Sequence, residues 1–136
     1  MNDLARAFWL RAIRALATAS SVTQSDPDCA ASRAYYAAFY GVSALFALQD
    51  RLFKKHTAVQ AAVHRELVSS GRWSKELGAQ YSSLLESREI GDYGLMESMT
   101  SASAEKAVRA AQCILQAVQS MCPELADDIP SLESSP

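Results

Sequence analysis

The sequence predicts an all-α domain, an antiparallel bundle of four or five helices, and three observations carry that prediction. Apolar residues recur at helical spacing along most of the chain, no segment shows two-residue alternation, and capping residues, glycine or proline bound most of the periodic runs. A chain of 136 residues is one domain by length and can bury a core. With 49% hydrophobic and 21% charged residues, its composition is neither that of a disordered chain nor that of a membrane protein. No apolar run reaches the roughly 18 residues a spanning helix needs.

The first helix is read over residues 3–22, with Leu4, Phe8, Ala12, Ala15 and Ala19 on one stripe. Arg6, Arg11 and Arg14 interrupt its apolar pattern, which argues against a secretory signal. "TQSDPD" breaks the pattern, and Asp26 followed by Pro27 is a helix start: a capping carboxylate, then proline at the first helical position. The second helix runs to about Gln49 with an aromatic seam of Tyr35, Phe39, Val42 and Phe46, and with Tyr36 and Tyr40 beside it. A third covers about Thr57 to Ser70, turns Val59, Val63 and Leu67 inward, and stops at Gly71. Ser74 caps a fourth. "GDYGLMESMTSAS" reads as a loop, and a fifth helix spans about Ala102 to Met121 before Pro123. The domain is thus expected over residues 1–122, with residues 123–136 an acidic, flexible tail. Cys29, Cys113 and Cys122 are odd in number and lack paired ligand spacing; they read as small hydrophobes in a reducing, cytoplasmic setting.

The net charge of −2 argues against a protein that coats nucleic acid over its whole surface. The distribution is uneven, however. From Arg51 to Lys75 there are six lysines and arginines against Glu66 alone, whereas the chain beyond Pro123 carries four acids and no lysine or arginine. A basic middle on an acidic chain points to a local anionic ligand, or to a solvated charged face.

Within that middle lies "RLFKKH". In one continuous helix Arg51 and His56 would sit about 140° apart and could not converge. The apolar seam ends at Asp50 and resumes after His56, so a break is expected there, with His56 or Thr57 opening the third helix. Free N–H groups at a helix start favour a bound phosphate, and the positive dipole end disfavours a charged imidazolium. An arginine and a histidine suffice for RNA cleavage, because RNA carries its own nucleophile in the 2′-hydroxyl. The histidine moves the proton and the arginine stabilises charge on the phosphoryl oxygens, without a metal or other cofactor.

Three stretches, "ASRAYYAAFYGVSALFAL", "KKHTAVQAAVHRELV" and "SREIGDYG", resemble signature stretches of the HEPN family (higher eukaryotes and prokaryotes nucleotide-binding), in the same order and over roughly residues 29–119. The resemblance implies a helical bundle that forms a homodimer and brings two copies of the pair into one cleft. Active members carry arginine, four to six residues, then histidine, which maps onto Arg51 and His56. Leu52 stands where active members place a polar residue, and Ala58 where some toxins carry a tyrosine that the antitoxin modifies.

Two functions follow as expectations. The first is a metal-independent endoribonuclease, the toxin of a toxin–antitoxin pair whose antitoxin is a nucleotidyltransferase. His56 is then the general acid/base, Arg51 the phosphate stabiliser, and Lys54 and Lys55 contacts to the RNA backbone. The second is a non-catalytic module that binds a nucleotide or a protein and partners a nucleotidyltransferase. Among other residues, His64 reads as a bundle-edge histidine, and Tyr35, Tyr36 and Tyr40 as core or interface aromatics. Arg33 is expected in an internal ion pair, for instance with Glu86, Glu89 or Asp92, with a phosphate contact as the alternative; Arg88, Asp92 and Tyr93 read as a structural tie between the fourth helix and its following loop, with a supporting role near the cleft as the alternative.

Overall fold

The structure, a computed structural model, describes residues 2–132. Its elements are α1 (Asp3–Ser21), α2 (Pro27–Ala47), α3 (His56–Ala62), which continues as a π-helical segment (Val63–Val68), α4 (Lys75–Tyr93) and α5 (Ser101–Met121). The described residues contain no strand, as the sequence predicts. No helix among them is long and apolar enough to cross a membrane.

Helix α2 is the centre of the bundle. The Asp26 carboxylate accepts from the Cys29 amide at its start, with Pro27 inside the first turn. Most of its residues from Ala30 to Ala47 are buried, because α1, α4 and α5 all pack on it. The small side chains of α2 and α5 let those helices approach closely. A Cβ built on Gly41 would lie 2.3 Å from Leu115 Cδ2, so glycine is what admits Leu115 there.

Helix α1 buries Ala5, Trp9, Ala12, Ala15, Leu16 and Ala19. The expected stripe through Leu4 and Phe8 is therefore displaced by one residue in the first half, and Leu4 is exposed. Both stripes pass through Ala12; the larger indole takes the interior position, and its Nε1 donates to the Asp127 carbonyl at 3.2 Å. Ser74 caps α4 by accepting from Leu77, and Thr100 caps α5 in a reciprocal pair with Ser103. Helix α4 runs through Gly91 to Tyr93, where the sequence reading placed a loop. Gly91 is the point where α4 meets the start of α2: a Cβ there would be 2.5 Å from the Asp28 carbonyl oxygen.

Past Pro123 the described chain has no helix, and it lies against α1 and α5. Leu125 is fully buried, Ile129 and Leu132 pack on the core, and Asp127 pairs with Arg6. Gln119 donates to the Leu125 and Asp127 carbonyls and Gln112 to that of Pro130. The expected tail thus has a described portion held on the bundle by apolar burial; residues 133–136 lie outside the described residues.

Candidate functional site

The break expected between Arg51 and His56 is present. Residues 48–50 form a turn, residues 51–54 have no regular structure, and α3 opens at His56. The turn closes α2 with two bonds of a Schellman motif: Asp50 N–H donates to the Ala47 carbonyl and Arg51 N–H to the Phe46 carbonyl, each at 3.0 Å. Asp50 supplies the left-handed residue that this motif requires, with φ 57°.

Arg51 thereby becomes the residue that folds back over the helix end, and its guanidinium lies 5.1 Å from the Phe46 ring centroid and 5.2 Å from that of Phe53. Both terminal nitrogens donate to the Glu66 carboxylate, Nη2 to Oε2 at 2.6 Å. The hydrogen bond from Arg51 holds the Glu66 carboxyl below its ordinary value. Glu66 sits in the π-helical segment, whose hydrogen bonds span one more residue than those of the α-helix read from the sequence.

His56 faces elsewhere. Its Nδ1 lies 2.8 Å from the Tyr35 hydroxyl, and its ring stacks on Phe39 with centroids 4.4 Å apart. The edge of Tyr36 meets it at 5.7 Å. Burial in this aromatic pocket lowers the imidazole pKa, and the Arg88 guanidinium lowers it further, so the ring is neutral at pH 7. Tyr35 is pushed up to about 12, chiefly by burial, and stays protonated beside it. Nε2 of His56 has no hydrogen-bond partner among the described residues.

Arg88 is the cation of this pocket, the place that the less favoured of its two sequence readings gives it. It reaches across from α4 to donate to the Tyr36 hydroxyl at 3.2 Å, and its Nε lies 3.1 Å from Asp92 Oδ2. The i, i+4 spacing of Arg88 and Asp92 in "SREIGDYG" was the available signal, but sequence does not show which way the guanidinium points. The expected ion pair of Arg33 with an acid of α4 is not formed among the described residues: Asp92 is taken by Arg88, and Arg33 lies over the Tyr36 ring at 4.7 Å. His64 is half-buried at the bundle edge, bonded to Ser82 at 2.9 Å.

The four residues singled out by sequence are therefore placed on one connector but not joined. Arg51 is bound to the π-helical segment and His56 to α2, with no hydrogen bond or ion pair between them among the described residues. Lys54 and Lys55 are exposed. Among the described residues no group of three His, Cys, Asp or Glu side chains could hold a metal ion.

A family model described as "HEPN domain" matches residues 5–121. A UPF0332 protein of Thermotoga maritima is 38% identical over 96 residues, which is 71% of this chain and 73% of that protein.

Proposed function

The chain belongs to the HEPN domain family, and from that premise we propose that it is a metal-independent endoribonuclease, the toxin of a pair completed by a nucleotidyltransferase-type antitoxin. The observation that carries the reading is the setting of His56: an imidazole held at Nδ1 by the Tyr35 hydroxyl, with Nε2 unpartnered among the described residues, in a pocket whose burial and Arg88 guanidinium both lower its pKa.

With Nδ1–H donated to the Tyr35 oxygen, the Nε2 lone pair can take the proton of a 2′-hydroxyl. The freed oxygen attacks the adjacent phosphorus, and the 5′-oxygen leaves with a proton. The products are a 2′,3′-cyclic phosphate and a 5′-hydroxyl. The imidazolium so formed gives its proton, directly or through water, to the departing 5′-oxygen and returns to the neutral form. Arg51 stabilises charge on the phosphoryl oxygens once Glu66 releases it, and Lys54 and Lys55 attract the backbone.

The bidentate hold of Glu66 on Arg51, together with Leu52 at 59% exposure where active relatives place a polar residue, favours a second reading. In it the protein is a non-catalytic module that binds a nucleotide or a partner protein and does not cut. Labelled single-stranded RNA incubated in chelator with the wild-type protein and with His56→Ala separates the two. Cleavage by the wild type alone supports the nuclease; an intact substrate in both, with nucleotide still bound, supports the module.

A further inference from the structure

A second cationic feature borders Tyr36, whose ring also meets that of His56. Arg11, Arg14 and Thr18 occupy positions i, i+3 and i+7 on α1, and Arg33, Tyr36 and Tyr40 the same positions on α2. Each set is one stripe, and a groove of about 260 Å³ between the helices is lined by Arg11, Arg14 and Thr18 of the first and by Arg33 and Tyr40 of the second. Arg11 lies over the Tyr40 ring at 5.8 Å, so the stripes meet across it.

These three arginines share one groove that no carboxylate lines. Arg6, Arg51, Arg65 and Arg88 each pair with a carboxylate. Arg11, Arg14 and Arg33 pair with none among the described residues, in a chain with more acids than lysines and arginines. Two of the three guanidiniums instead lie over tyrosine rings, which positions them before any ligand arrives. Three close cations of this kind repel one another, and a multivalent anion relieves that repulsion.

We infer that this α1–α2 groove binds the phosphate backbone of single-stranded RNA and leads it to His56. The continuity runs through Tyr36. One guanidinium, Arg33, covers its ring; its hydroxyl accepts from Arg88; and its edge meets His56. From Arg33 to Tyr40 the stripe spans about 10 Å of helix. A chain of phosphates matches a row of fixed planar donors ending at a proton-transfer group, whereas an acidic protein segment has no use for the last member.

The inference takes its ligand from the proposed function, but its test does not require cleavage. The probe is a fluorescent 2′-O-methyl oligonucleotide, which lacks the nucleophile, titrated by anisotropy from 50 to 200 mM salt. The wild type binds it, and Arg11→Gln/Arg14→Gln/Arg33→Gln weakens binding roughly tenfold and lowers the salt slope by about 2, at about 0.7 per phosphate contact on a single strand. The corresponding triple lysine variant keeps the slope. Should the triple glutamine variant fail to fold by circular dichroism, Arg11→Gln/Arg14→Gln, both on the exposed side of α1, is expected to lower the slope by about 1.4. A wild type that does not bind the oligonucleotide overturns the inference. So does a folded glutamine variant that is weakened less than about fivefold or that keeps the wild-type slope. Each result stands whether or not the wild type cleaves ordinary RNA.

Discussion

Truncating Arg51 tests what that residue does in the folded chain. Arg51→Ala removes a bidentate pair whose side chains are 36% and 30% exposed. Solvent screening at that exposure limits the pair to about 0.5–1 kcal/mol. Loss of the guanidinium from the Phe46 and Phe53 rings adds about 0.5–1 kcal/mol. The backbone bonds of the Schellman turn survive, so the expected total is about 1–2 kcal/mol, read from urea unfolding at pH 7. A cycle with Glu66→Ala isolates the pair, with a coupling of about 0.5–1 kcal/mol. Because the Glu66 carboxyl is depressed in the folded state, this coupling is fully present above its ordinary value of 4.5 and fades as pH falls through the lower folded value. If Arg51→Ala unfolds like the wild type and the coupling is zero within about 0.3 kcal/mol, Arg51 is not held by Glu66, and the reasoning fails. Glu66→Gln carries the result to function. It loosens the clamp without emptying the site, so cleavage rises if Arg51 is the phosphate stabiliser and stays absent if the protein is a binding module.

Three further outcomes follow from single residues. His56 has a depressed pKa, so the stability it lends is complete above its ordinary value of 6.5 and is lost as pH falls below that, through the folded value; this acid-side slope should vanish in His56→Phe, measured by denaturant unfolding between pH 7 and pH 5. Gly91→Ala should cost about 1–3 kcal/mol, because its Cβ meets the Asp28 backbone and the strain falls on α2 and α4; an unchanged thermal midpoint would count against the packing described. Asp50→Gly should stabilise by roughly 0.5–1 kcal/mol, since glycine holds the left-handed conformation at the end of α2 without strain, and a loss of stability would show that the Asp50 side chain contributes there.

Helix starts were the most legible feature of the sequence, because a cap is a local chemical event. Asp26 with Pro27, and Ser74 alone, act as their residue types predict. What the sequence hid was directional. Periodicity allowed both Leu4–Phe8 and Ala5–Trp9 to face inward on α1, and the choice was made by a distant acceptor, the Asp127 carbonyl. Glycine suggested a loop at Gly91, whereas the residue serves close packing inside a helix. The connector from Arg51 to His56 was legible as a break, since Asp50 ends a stripe. The destinations of its side chains were not, because Glu66 and Tyr35 are 15 and 21 residues away in sequence.

The cation nearest in sequence to His56 is not the one that acts on it in the folded chain. The pull of an arginine on an imidazole falls with distance and is screened where water enters. Both arginines have a carboxylate partner, but Arg88 is 18% exposed and bonded to a tyrosine whose ring meets that of His56, whereas Arg51 is twice as exposed and held away by Glu66. Any proton transfer at His56 is therefore tuned by Arg88, whichever arginine meets the phosphate. Arg88→Gln should accordingly raise the His56 pKa towards its ordinary 6.5, read by NMR titration of the imidazole. Arg51→Ala should leave that titration in place. An exchange of these two outcomes would mean that the aromatic pocket is organised by the loop arginine, and that Arg88 serves only to tie α4 to α2.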